Sequence, residues 1–324
     1  MIKTAELLPY PATSLWRLIR QCGVTYAVGK IDFTPAAGGV SEQPWDYLPL
    51  LRIKSAFGNM GFNLEVIESR PPMDKIKLGL PGRDEEISVV SELIRNMGRL
   101  EIPVWCYEWM PVFNWLRTST EIQGRGGALT TGYDHTLMEK APETEYGEIE
   151  SEKLWDNLAY FLSAVLPVAE EYGVRLAMHP DDPPVTPVRG IHRIMGSIEN
   201  FKRLIKDFPS PANGIALCQG NFTLMTEDLP GVIRQFGERI FFAHFRDVQG
   251  SAENFVETFH DEGKTDMLEC LRAYRDIQFK GVLRPDHVPT MEGDDNSDPA
   301  YSSLGRLFAI GYIRGLAEGV YGNG

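Results

Sequence analysis

Short apolar runs and helix-period stretches alternate from one end of this chain to the other, and that alternation constrains its fold more than any other feature. Runs at 25–31, 64–68 and 104–107, and those ending at His179, Cys218, His244 and Asp286, are largely apolar without alternation. Such strands belong in a parallel sheet buried on both faces. Between them, Leu154, Leu158, Phe161, Leu162 and Val165 form one helical stripe, and Ser197 is placed to cap a helix carrying Ile198, Phe201, Leu204 and Ile205. With a less regular strand at 6–10, the chain supplies eight strand-helix units in 324 residues. Neither GxGxxG nor GxxxxGK[ST] follows an early strand, so the phosphate-cradling turns of a doubly wound sheet are missing. The pattern predicts one (β/α)8 TIM barrel domain over residues 1–324. The rhythm breaks at 111–147, which holds Gly124-Arg125-Gly126-Gly127 and Thr130-Thr131-Gly132 and is expected to be a lid or a long βα loop.

Four of the apolar runs end on a side chain that a metal ion can use. They are Leu-Ala-Met-His179, Ile-Ala-Leu-Cys218, Phe-Phe-Ala-His244 and Leu-Arg-Pro-Asp286, in four consecutive units. In a βα barrel the C-terminal strand ends share one face, where chemistry sits. Each residue by itself has an ordinary explanation: a hydrogen-bonded core histidine, a small buried thiol, a capping aspartate. Their common phase points instead to a metal cup of His179, Cys218, His244 and Asp286. Two imidazoles, a thiolate and a carboxylate suit Mn²⁺, Fe²⁺, Co²⁺ or Zn²⁺, whereas Ca²⁺ and Mg²⁺ favour oxygen shells.

The flanking residues add chemistry. His287 follows Asp286 directly and puts another imidazole beside the cup as a proton carrier. Tyr301 precedes the last helix, where a loop can return its phenol to the mouth. Arg246 and Arg284 flank two of the ligands and suit a bidentate grip on a substrate carboxylate. Glu68, ending the third strand, suits a substrate hydroxyl or a ligand-supporting contact. His135, His192 and His260 carry the plain structural reading.

A formal net charge of −13 with no Lys/Arg block argues against nucleic acid as a partner. No segment approaches the apolar length of a membrane span, and the four cysteines lack CxxC pairing, so a cytoplasmic chain with reduced thiols is expected.

Several segments carry a family likeness: His179-Pro180-Asp181-Asp182-Pro183-Pro184, Cys218-Gln219-Gly220, His244-Phe245-Arg246, Arg284-Pro285-Asp286-His287 and Tyr301-Ser302-Ser303-Leu304-Gly305-Arg306-Leu307. Together they resemble the metal-dependent mannonate dehydratases, built on a xylose-isomerase-like barrel, from about residue 60 onward. The resemblance implies Mn²⁺ or Fe²⁺ in the cup and His287 and Tyr301 as catalytic groups. It also implies loss of water from D-mannonate, or a closely related aldonate, to give 2-dehydro-3-deoxy-D-gluconate in hexuronate catabolism, and a homodimer. The chain departs from the usual family pattern at Val288 and Ala300, where glycine is common, and at Val185, where arginine is common. Two other readings stay open at this point: a metal-dependent sugar isomerase or epimerase on the same barrel, and a non-catalytic metal-binding barrel.

Overall fold

In a computed structural model, which describes residues 2–36 and 42–322, twelve strands form two sheets. They are β1 (Lys3–Pro9), β2 (Tyr26–Lys30), β3 (Asn63–Ile67), β4 (Val104–Glu108), β5 (Ser119–Gln123), β6 (Leu129–Asp134), β7 (Arg175–His179), β8 (Asn213–Cys218), β9 (Ile240–Phe245), β10 (Val248–Ser251), β11 (Asn254–Glu257) and β12 (Val282–Pro285). Eight of them close a parallel barrel in the order β1-β12-β9-β8-β7-β4-β3-β2, with Lys3 opposite Val282 at the closure. The (β/α)8 architecture expected from the alternation is therefore the observed one.

The physical basis is the one that the sequence carries. The strands are buried on both faces because helices cover the outside and an inner cluster, mostly small side chains with Leu7, Phe241 and Phe242, fills the bore. Ala5, Val28, Val66, Val104, Ala177, Ala216 and Val282 belong to that inner cluster. The outer cluster packs large side chains such as Trp16, Phe57, Trp105, Phe161 and Phe201 between barrel and helices. The helix Ser151–Tyr172 buries Leu154, Leu158, Phe161, Leu162 and Val165, and ends at Gly173, whose left-handed φ of 70° a side chain would resist. Ser197 accepts a hydrogen bond from the Asn200 N–H at the start of the helix Ile198–Asp207, as expected of an N-cap.

The stretch at 111–147 follows β4 and carries secondary structure of its own. It contains the hairpin β5–β6, turned by Gly124–Gly127, and a second hairpin, β10–β11, rises from the loop after β9. The two hairpins join into one antiparallel sheet of order β10-β11-β6-β5. Two βα loops thus pool their strands into a structure outside the barrel, with its own small apolar core of Tyr133, Val185, Val188, Val248 and Phe255. We call it the lid sheet.

Candidate metal centre

The barrel order sets β7, β8, β9 and β12 side by side, and the register aligns Cys218 with His244 and Arg284 with His244. His179 and Cys218 are the last residues of their strands, and Asp286 lies one residue past β12. One ligand atom from each of His179, Cys218 and His244 lies within 4.8 Å of the others. Asp286 joins them, with Oδ2 3.6 Å from the Cys218 sulfur and 3.5 Å from His244 Nδ1. The structure thus brings three of the expected ligands within reach of one point and sets Asp286 against two of them. The His179 Nδ1–H donates to the Pro180 carbonyl at 2.7 Å, which leaves Nε2 with its lone pair for another partner.

The donor set fits a cation. His244 is buried, yet neither ring nitrogen makes an aligned hydrogen bond. Burial and the nearby Arg284 oppose a charge on its ring, but Glu68 and Asp286 outweigh them and lift its pKa to about 9. The pocket therefore favours positive charge at this spot. Glu68, Cys106 and His244 form an alternative trio of donors. There both Glu68 oxygens already accept from Arg284, at 2.7 and 2.9 Å, so an ion would face a guanidinium. In the first cup Arg284 takes only Asp286 Oδ1, at 2.9 Å, and Oδ2 is the atom set against Cys218 and His244.

Two expected substrate contacts have different places. Arg246 is fully buried: its Nε and Nη2 donate to Glu257 at 2.8 and 2.7 Å, and Nη1 donates to Asp182 and Asn221, both at 2.9 Å. Its Nη1 also lies 3.5 Å from the Cys218 sulfur, so it supports the cup from behind. Gly220 permits this: a Cβ there would meet Arg246 Nε at 2.6 Å. Arg284 borders the cavity, but it is tied to Glu68 and, through Nη1, to Asp286 at 2.9 Å. Neither arginine offers a free fork to a substrate carboxylate, because each is already neutralised by buried acids. Glu68 likewise supports Arg284 and sits 3.1 Å from His244 Nε2. Burial would raise its carboxyl, but Arg284 and His244 hold it at about 2.

A cavity of about 320 Å³ opens over the cup, and His287, Tyr301, Arg70, Asn114 and Trp115 are among the residues that border it. The His287 Nδ1 lies 2.8 Å from Glu257 Oε1. Burial would raise Glu257, but Arg246, His287 and Arg117 hold it at about 2, so it is ionised and Nδ1 carries the donated proton. The other nitrogen, Nε2, lies 3.8 Å from Asp286 Oδ1. His287 itself has a left-handed φ of 34°, a strained conformation for a side-chain-bearing residue. The Tyr301 hydroxyl is 3.5 Å from Asp286 Oδ1, and burial with the charge of Asp286 keeps its pKa well above the ordinary value.

Glu257, Arg117 and Asp182 were not anticipated as site residues. Glu257 ends a strand of the lid sheet whose short hairpin carries only weak alternation, and Arg117 precedes another. Asp182 lies in the His179 motif, which was the available signal. His260 and His135 are structural in position. Burial pushes His260 down to about 4, and its Nε2–H donates to the Phe245 carbonyl at 2.6 Å, while His135 Nδ1 lies 2.8 Å from the Tyr133 hydroxyl.

Known proteins resemble this chain in sequence and in fold. The family model described as D-mannonate dehydratase (UxuA) matches residues 12–145 and 140–322. A mannonate dehydratase of Thermotoga neapolitana is 36% identical over 340 residues, covering 93% of this chain and 92% of its own. One from Oceanobacillus iheyensis is 36% identical over 311 residues, covering 86% and 87%. The crystal structure of mannonate dehydratase from Streptococcus suis serotype 2 superposes with a TM-score of 0.88 at 30% identity, over 98% of this chain and 93% of that one. A D-psicose 3-epimerase of Clostridium cellulolyticum H10 shares the fold alone, at a TM-score of 0.62 and 14% identity.

Proposed function

This chain belongs to the mannonate dehydratase family, and on that premise we propose how its residues remove water from D-mannonate. It is a hydro-lyase, and the reading assigned here is loss of water across C2 and C3 to give 2-dehydro-3-deoxy-D-gluconate. His179, Cys218, His244 and Asp286 hold a divalent ion, Mn²⁺ or Fe²⁺, with Co²⁺ and Zn²⁺ compatible with the same donors. The observation that carries this reading is the convergence of those four side chains beside His287 and Tyr301. When bound, such an ion supplies Lewis-acid stabilisation of charge developing on the substrate carboxylate.

The chain's own residues supply the proton transfers. His287 takes the C2 proton: Glu257 fixes the Nδ1–H tautomer, so Nε2 is the accepting atom. Tyr301 stays protonated in its buried setting and gives its proton to the departing C3 hydroxyl, leaving an enol that becomes the 2-keto acid by losing its C2 hydroxyl proton and taking one at C3. Trp115, edge-on to His287 with ring centroids 5.4 Å apart, screens the base from water. In the cell we infer a cytoplasmic enzyme, consistent with the lack, among the described residues, of any helix long and apolar enough to cross a membrane. A homodimer is consistent with the family.

The test is direct. Purified protein stripped of metal and then supplied with Mn²⁺ or Fe²⁺ should form a 2-keto acid from D-mannonate, followed by ultraviolet absorbance and identified by NMR. A ketose or an epimeric aldonate as the product, or equal rates in stripped and loaded enzyme, would reject the reading.

A further inference from the structure

We propose that Arg117 couples docking of the lid sheet to the competence of His287, so that the base is complete only when the lid is seated. The inference rests on the assignment of His287 as proton acceptor.

The carboxylate that orients His287 does not come from the barrel. Glu257 ends β11, which pairs with β6 through Phe255 opposite Tyr133 and Val256 opposite Gly132. Arg117 leads into the same sheet: the next residue, Thr118, donates its N–H to the Gly132 carbonyl at 2.9 Å. The Arg117 side chain is only 1% exposed and lies between two rings, 4.7 Å from the Trp115 centroid and 4.9 Å from that of Phe255. Its Nη1 and Nη2 donate to Asp182 at 2.7 and 3.0 Å, and Nη2 donates as well to Glu257 Oε1. Asp182 belongs to the loop after β7, on the barrel. One guanidinium therefore joins three parts: the lid segment, the barrel and the carboxylate that holds the base.

The geometry at Glu257 Oε1 makes the join consequential. That oxygen accepts from Arg117, from Arg246 Nη2 and from His287 Nδ1. Two guanidiniums from different sides fix its position, and His287 follows it. Without Arg117 the carboxylate is held by Arg246 alone and can swing toward it. His287 Nδ1–H then loses its aligned acceptor and the ring loses its orientation over the cavity. Arg117 does not border the cavity, so it is a positioning residue that acts through Glu257 and His287. A lid built this way differs from one that only excludes water, because its opening also dismantles the base.

The coupling is tested by kinetics on Mn²⁺-loaded enzyme with D-mannonate. R117A should lower kcat about 10²-fold and R117K about 10-fold, with KM within about three-fold of wild type and ion content unchanged. Lysine keeps the charge but not the two-pronged grip, so the graded order carries the test even where R117A fails to fold. The double variant R117A/H287N, or R117K/H287N in its place, should be no slower than H287N alone, because both substitutions disable the same group. A raised KM with unchanged kcat would make Arg117 a substrate-capture element and overturn the proposal. So would losses that multiply in the double variant, or an R117K enzyme with wild-type kcat. The underlying assignment fails separately: wild-type turnover in H287N removes the base itself, whereas an inactive H287N beside a fully active R117A removes only the coupling.

Discussion

Replacing Asp182 with Asn isolates the charge that ties the lid sheet to the barrel. The Asp182 side chain is 2% exposed, grips both terminal nitrogens of Arg117 and accepts from Arg246 Nη1 at 2.9 Å. Asparagine preserves the shape, and the backbone carbonyl that accepts from the Leu116 N–H at 3.2 Å is untouched. What changes is charge: Arg117 and Arg246, now balanced by Asp182 and Glu257, would share Glu257 alone. Removing one partner of a buried ion pair costs about 3–5 kcal/mol, and because each guanidinium keeps one carboxylate we expect about 3 kcal/mol. The pH dependence has a fixed sign. Burial would raise the Asp182 carboxyl, but Arg117 and Arg246 hold it well below its ordinary 3.8. A depressed carboxylate contributes its full stability above the unfolded value and loses it as the pH falls below. Urea unfolding of metal-free wild type and D182N, followed by tryptophan fluorescence, should thus give a constant difference from about pH 7.5 to pH 5, smaller by about 1 kcal/mol near pH 3. A difference under about 1 kcal/mol at neutral pH, or one that widens on acidification, would refute the assignment of Asp182 as an ionised clamp.

Three further outcomes follow from the site and its surroundings. H287N and Y301F should each lower kcat by about 10²-fold or more while elemental analysis finds the ion still bound; normal turnover in either removes that residue's role. C218A should lose the ion or hold it weakly on dialysis, and full occupancy would count against the thiolate as a ligand. A300G should stabilise the chain by about 0.5–1 kcal/mol in urea unfolding, because Ala300 sits at a left-handed φ of 72° where glycine is unstrained. A destabilised A300G would show that the methyl group packs more than the backbone strains.

What the sequence discloses depends on how local each determinant is. The barrel was legible because a strand buried on both faces must be apolar throughout, and a repeated βα unit writes that run at regular intervals. His179, Cys218, His244 and Asp286 stood out because each breaks such a run at the same place. Arg246 and Arg284 were expected to grip substrate, since a flanking arginine is indistinguishable in sequence from one that supports the cup. The acids they touch, Glu257 and Glu68, lie 11 and 216 residues away. The lid sheet was legible only in part. Gly124–Gly127 between two β-rich stretches is a hairpin signal, but pairing of β6 with β11 joins residues more than a hundred positions apart. Nothing local records it.

The same network bears on the charge of the ion proposed for the cup and on the part its arginines take. Glu68, Asp286 and Arg284 are joined by direct contacts, and so are Asp182, Glu257, Arg117 and Arg246; Arg246 Nη1, 3.9 Å from Asp286 and 3.5 Å from the Cys218 sulfur, links the two groups. Four carboxylates face three guanidiniums, and a ligating thiolate at Cys218 brings the set to two net negative charges. Buried charge uncompensated to that extent is expensive in a medium of low effective dielectric. A divalent ion balances it; a monovalent ion leaves one charge over. Freeing Arg246 or Arg284 to bind a substrate carboxylate would strip a cation from the acids beside it, and the incoming carboxylate would only replace the negative charge already there. On the proposed reading, substrate charge is therefore better met by the ion than by either arginine, and Arg246 and Arg284 would set the electrostatic level at which that ion is held.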